Sequence, residues 1–269
     1  MWQKLNRIDS YQLAKIRIQL VNAIQLVSAA PRSYLSHNFK SKIDWLLWNA
    51  EDNTLFTSYF GTKEKVKVSL DMERFVISIF GKKDHIEHLV LSGMTYPMAY
   101  GWMKIKLEAF HFNGNKYNDE TSYAIEKSLI PDEEMNLIDQ SVVHDLTIYY
   151  SNAYHLFDQL KNELNLPGKI LVNPMNLNLE LIIEDEENKF SFGFAPGNTD
   201  YPEPFFFFQF QHVQDRISSL VNNAIGIWNT KNWNGLAFLS SEFLTLDPTI
   251  EKERVSEFFK LNFVRLFHV

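Results

Sequence analysis

The chain has no cysteine in its 269 residues, which excludes disulfides, thiolate nucleophiles and thiolate metal sites and leaves nothing that points to secretion. It also lacks any run of lysine and arginine long enough to follow a phosphate backbone. With 26 basic against 33 acidic residues and a formal net charge of −7, it is a poor partner for nucleic acid. No stretch approaches the roughly 20 continuous apolar residues of a membrane span. Lys4 and Arg7 ahead of Ile16 to Ala30 have the outline of a signal peptide, but Arg17, Gln19, Asn22 and Gln25 interrupt the run. Leu13, Ile16, Leu20, Ile24 and Val27 share one face at helical spacing, which predicts an amphipathic surface helix. A soluble cytoplasmic protein is expected, with no nucleic-acid partner, no membrane and no cofactor. A folded body of this length buries about 75% of its unfolded surface, ample for a core without staples.

What the chain does have is rings: 22 Phe, 11 Tyr and 6 Trp. They concentrate in Phe190 to Gln211. Phe190, Phe192 and Phe194 alternate with Ser191, Gly193 and Ala195, the period-2 pattern of a strand with one large and one small face. Ala195-Pro196-Gly197-Asn198 carries turn chemistry, and Pro204, which has no amide to donate, is tolerated only at the start of the next strand. Phe205 to Phe208 and Phe210 put rings on both faces of that strand, each contributing roughly 1.5–3 kcal/mol when buried. Such a strand is predicted to be central and covered on both sides.

The remaining periodicities predict an α+β fold of antiparallel sheets with packed helices. A helix from about Ser10 to Ala29, stopped by Pro31, precedes strand-like segments at Ile43 to Asn49, Thr54 to Phe60, Val66 to Leu70 and Arg74 to Phe80. A helix runs from Tyr96 or Pro97 to about Glu108. Residues 113–140 have little periodicity and read as the connection between a first part, 1–112, and a second, 141–269, packed as one globular body. In the second part a helix from about Val142 to Leu164 leads to strands at Asn176 to Ile183, Phe190 to Ala195 and Phe205 to Phe210. Helices at Val213 to Trp228 and Glu251 to Phe267 follow. Leu20 to Gly61 and Tyr154 to Gly197 share the order helix, turn, strand, acidic turn, aromatic strand, which predicts an internal pseudo-duplication.

Gly193-Phe194-Ala195-Pro196-Gly197, followed by Tyr201-Pro202-Glu203-Pro204 and its aromatic strand, resembles the signature of an uncharacterised bacterial protein family known only as a domain of unknown function. Leu91-Ser92-Gly93-Met94-Thr95 through Trp102 is similar to that family's strand-to-helix junction, and Tyr150-Ser151-Asn152-Ala153 to its central helix. Trp233-Asn234-Gly235 through Glu242-Phe243-Leu244 resembles its C-terminal segment. The resemblance covers most of the chain and implies no established activity. Where relatives carry a tryptophan-proline-histidine-rich sequence ending in aspartate, this chain has Asn173-Pro174-Met175-Asn176-Leu177-Asn178. Met175 and Asn176 bind zinc poorly and Asn178 takes no proton, so chemistry carried by that motif is lost here, whereas a structural role for it leaves little changed.

No motif specifies a reaction. His85-x-x-His88 is the only close histidine pair, set among Lys82, Lys83 and Asp84 in an expected loop, and reads as solvated polar residues before it reads as a metal site. Ser151 and Ser191 lack the setting of a nucleophile elbow, and Gly193-x-x-x-Gly197 has no lysine to make it a phosphate loop. Glu203, held between prolines beside an apolar strand, suits acid–base work, but capping a neighbouring helix or meeting an arginine accounts for it more readily. Trp45, Trp48, Tyr59 and Phe206 are candidate walls of an apolar pocket with Asn176, Asn178, Tyr201 and Glu203 as orienting polar groups, unless these rings simply fill the core. The expected function is a binding protein for a small apolar or aromatic molecule without chemistry of its own. A hydrolase using Glu203 with a histidine, and a protein-interaction module, are the alternatives.

Overall fold

The computed structural model describes residues 2–35, 45–62, 64–81, 85–120, 132–137, 139–184, 189–211, 224–231 and 233–267. The acidic turn expected between the strands at Asn176 to Ile183 and Phe190 to Ala195 falls outside them apart from Glu184 and Lys189, and so do residues 43–44 of the first expected strand and 213–223 of the expected helix. In chain order the elements are α1 (Ser10–Tyr34), β1 (Leu47–Asn49), β2 (Thr54–Phe56), β3 (Lys67–Asp71), β4 (Val76–Phe80), β5 (Ile86–Val90), β6 (Met94–Thr95), α2 (Tyr96–Ala109), β7 (Glu134–Met135) and α3 (Gln140–Glu163). They continue with β8 (Lys169–Val172), β9 (Leu179–Glu184), β10 (Lys189–Ala195), β11 (Phe205–Gln211), β12 (Ile227–Asn229), β13 (Gly235–Leu239), α4 (Ser240–Phe243) and α5 (Pro248–Phe267). The paired strands are antiparallel throughout, in sheets of five, six and two strands, so the α+β class is as the periodicities predict. Among the described residues no helix is long and apolar enough to cross a membrane.

Two compact units divide the chain. One comprises Met1–Ala14, Ile148–Leu171 and Asn178–Val269; the other comprises Lys15–Thr147 and Val172–Leu177. The described part of the expected connection 113–140 belongs to the second.

The first unit is built on the six-stranded sheet, ordered β12-β13-β11-β10-β9-β8. β11 is an inner strand with Phe205 to Phe208 all buried, as its four consecutive rings require. On one face Phe190, Phe192 and Phe194 stand opposite Phe210, Phe208 and Phe206. Rings from α3 and α5 meet them there, Phe259 lying 4.8 Å from Phe192 and Phe157 6.3 Å from Phe206 between centroids. On the other face the small residues of β10 make room for β11: Gly193 sits opposite Phe207, and a Cβ built at Gly193 falls 1.9 Å from that ring. β12 corrects the expected helix, since Ile227 and Trp228 pair with Ala237 and Leu236 of β13. β8, β12 and β13 were not predicted, being short and without alternation that stands out from the surrounding turns.

The second unit carries the five-stranded meander β1-β2-β3-β4-β5. Trp48, Leu55, Leu70, Ile77 and Leu89 form one cross-strand row and are all buried. α1 departs from expectation twice. Every residue from Leu20 to Ala30 is buried, so this stretch is a core helix and not a surface one. Its polar side chains misled because they are bonded internally: the Gln25 amide donates to Pro174 O at 2.6 Å, Asn22 donates to Ile18 O at 2.8 Å, and Gln19 accepts from Asn136 N at 3.2 Å. Pro31 lies inside the helix, which runs on to Tyr34; a proline this near a C-terminus removes one bond, and Leu35 N still reaches Pro31 O at 3.0 Å.

Candidate functional site

A five-stranded meander with one buried face leaves the other to solvent, and period 2 decides which residues it presents. Three outward rows result. The first is Asn49, Thr54, Asp71, Val76 and Val90; the second is Leu47, Phe56, Ser69, Ser78 and His88; the third is Lys67, Phe80 and Ile86. The face is concave and encloses a groove of about 570 Å³. The turn residues Glu51, Asp52 and Asn53 join its wall beside the first row, as do Glu73 and Arg74 from the β3–β4 turn.

The groove is chemically graded along the strands. At one end the Lys67 ammonium lies over three rings, 4.8 Å from the centroid of Phe80, 5.3 Å from Phe56 and 5.8 Å from Tyr59. In the middle Ser78 Oγ and His88 Nδ1 share a hydrogen bond of 2.8 Å, with Ser69 as Ser78's cross-strand neighbour. At the other end carboxylates collect. Asp52 accepts from the Asn49 amide at 2.8 Å, and Asp71 accepts from Arg74 N at 2.8 Å. Phe75 closes that turn at φ 53° with its ring fully buried, an uncommon position for a bulky residue that the packing of the ring offsets.

Glu73 ties the turn to α3. It accepts from His144 Nδ1 at 2.8 Å, from Thr147 Oγ1 at 3.0 Å and from Asn53 Nδ2 at 3.2 Å. Burial, the largest single influence, pushes its pKa up, but these bonds together with the His144 charge more than offset it and hold the carboxyl below its ordinary 4.5. A depressed carboxylate adds stability that is present above pH 4.5 and is lost as pH falls through the lower folded value. The urea midpoint of the wild type is therefore expected to decline below that pH, and Glu73→Gln to remove part of the slope. An identical slope in the variant would show that the contact adds nothing to stability.

The residues expected to form one pocket are divided between the two units. Phe206 is fully buried on the α3 and α5 face of the six-stranded sheet. Tyr201 packs instead on Phe205, at 5.2 Å, and its hydroxyl accepts from Asn229 Nδ2 at 3.1 Å. Adjacent residues of β11 face opposite ways, so Phe206 and Tyr201 cannot line one cavity. Glu203 accepts from the Ser240 hydroxyl, from Ser241 N at 2.6 Å and from Ser241 Oγ at 2.9 Å, so both its oxygens are engaged at the start of α4. That is a cap, in which the two oxygens accept three bonds. Trp48 is buried in β1, Trp45 half-buried just before it, and Tyr59 is 60% exposed beside Lys67. Asn176 and Asn178 are half-buried, with Asn176 in the second unit and Asn178 in the first. The loop that begins at Asn173 is braced by its own bonds, Met175 N to Asn173 Oδ1 at 3.0 Å and Leu177 N to Asn173 O at 2.9 Å, and by Gln25.

Of the four in the second unit, Trp45, Trp48, Tyr59 and Asn176, Tyr59 comes near the groove, beside Lys67. His85 and His88 are not a loop pair: His88 belongs to β5 and bonds Ser78, while His85 leans on the Phe110 ring at 4.6 Å. No cluster of metal-ligating residues occurs among the described ones. The groove residues were missed because no strand carries a motif; the outward serines of β3 and β4 were the available signal, since a four-residue turn at 72–75 sets Ser69 opposite Ser78. No family model, no curated protein and no solved structure matches the chain.

Proposed function

We propose that the protein is a binding module without chemistry of its own, and that its small-molecule ligand lies in the groove on the open face of the five-stranded sheet. The observation that carries this is the groove itself. Its 570 Å³ falls in the range of ligand pockets, and one strand after another lines it with outward polar and aromatic side chains. The aromatic content that first suggested a pocket fills the interior of the other unit, where Phe192, Phe194, Phe206 and Phe208 have no exposed surface.

A catalytic reading is favoured by one contact, the Ser78–His88 hydrogen bond of 2.8 Å. Against it, the main-chain amides of the inner strands are committed to ladders and supply no oxyanion hole. Among the described residues no carboxylate orients His88 either. We take the absence of cysteine as support for a cytoplasmic setting. We also retain the internal duplication as part of this proposal, supported by a long helix followed by an antiparallel meander in α1 with β1–β5 and again in α3 with β8–β11.

Amide chemical-shift mapping with millimolar benzoate, benzamide and benzylamine tests the assignment. Shifts confined to Phe56, Ser69, Ser78, Phe80 and His88, and abolished by Ser69→Tyr, are expected. Shifts scattered over the molecule, or none, would remove the groove from consideration.

A further inference from the structure

The two ends of the groove carry opposite charge. Lys67 is the cation at one end, and its charge faces the rings of Phe56, Tyr59 and Phe80. Glu51, Asp52 and Asp71 stand at the other, where Arg74 is 84% exposed and reaches Asp71 only at 3.8 Å. The charged ends are separated along β3 by the rise from Lys67 to Asp71, about 14 Å at roughly 3.4 Å per residue. Between them Ser69 is 4% exposed and lines the groove, yet its hydroxyl has no hydrogen-bond partner among the described residues.

Resting on the binding role assigned above, we infer that the ligand is an elongated zwitterion of the size of a short linear peptide. Three or four extended residues span about 10–14 Å between amine and carboxylate, which matches the separation of the charged ends. The carboxylate meets Lys67 and the amine meets the Glu51, Asp52 and Asp71 end. Ser69 and the Ser78–His88 pair hydrogen-bond the peptide groups between, and an apolar central side chain lies against Phe56 and Phe80. An anion alone would leave the acidic end unmatched, and a cation alone would leave Lys67 unmatched.

Calorimetric titration of the full chain with Ala-Phe-Ala, its N-acetyl form and its C-terminal amide separates the ends. The free tripeptide is expected to bind at least tenfold more tightly than either blocked form. Lys67→Met, which keeps the aliphatic stem against the rings, is expected to abolish the preference over the amide while preserving that over the acetyl form. Asp71→Asn combined with Glu51→Gln is expected to do the reverse. Unchanged far-UV circular dichroism shows that both variants fold. Equal binding of all three peptides in the groove overturns two-ended recognition and leaves the binding role standing. Failure of Ala-Phe-Ala to bind overturns the inference, and the binding role falls with it only if the three aromatic probes also leave the groove amides unmoved.

Discussion

Phe206→Ala is expected to cost about 3–5 kcal/mol of stability, the range for emptying a fully buried aromatic site. The ring has no exposed surface and lies within 5.4–6.4 Å, centroid to centroid, of Trp2, Phe157, Phe194, Phe243 and Phe259. These neighbours come from the N-terminal segment, α3, β10, α4 and α5, so relaxation of any one element cannot close the cavity. The check is urea unfolding followed by far-UV circular dichroism, with the midpoint falling at unchanged slope. Tyr59→Ala, at a residue 60% exposed, is expected to change stability by no more than about 0.5 kcal/mol. The contrast separates an exposed surface ring from a piece of the core. Equal small losses in both variants would mean that the interior around Phe206 repacks freely.

The second large effect comes from adding atoms. In Gly193→Ala the new methyl stands 1.9, 2.3 and 2.4 Å from three atoms of the Phe207 ring, which is itself 3% exposed and packed with Trp233 and Phe205. Overpacking of this kind costs about 1–3 kcal/mol, and Gly193→Val more. If the cause is this one contact, Phe207→Leu shrinks the obstacle and the double variant recovers part of the loss. An interaction energy of about 1 kcal/mol or greater in the double-mutant cycle is expected. Strict additivity would place the cost in the backbone of β10 and not against the ring.

Both substitutions fall in the stretch that was most legible from residue types alone. Alternation of Phe with Ser, Gly and Ala gave β10, Pro204 set the start of β11, and consecutive phenylalanines required β11 to be covered on both faces. Legibility failed where tertiary partners replaced local pattern. Gln19, Asn22 and Gln25 suggested water beside α1 because a buried amide cannot be told from a solvated one by type. Ile86 to Val90 passed for loop because exposed Ile86 and Val90 and half-buried Glu87 break the expected alternation on an edge strand. The candidate site was harder still. Phe56, Lys67, Ser69, Ser78 and His88 become neighbours through the registers of four strands, and Glu203, open to a cap or to acid–base work by residue type, is decided by the hydroxyls of Ser240 and Ser241 in α4.

The strict alternation of the five-stranded sheet separates two jobs that many proteins load onto the same residues. Trp48, Leu55, Leu70, Ile77 and Leu89 hold the meander from one side, while Phe56, Lys67, Ser69 and His88 project from the other. The inner ladders are closed by main-chain atoms and are indifferent to what projects outward. Outward residues can therefore drift one at a time at little cost to folding, and under the proposed binding role ligand preference becomes a trait that selection, or an engineer, can rewrite on an unchanged chassis.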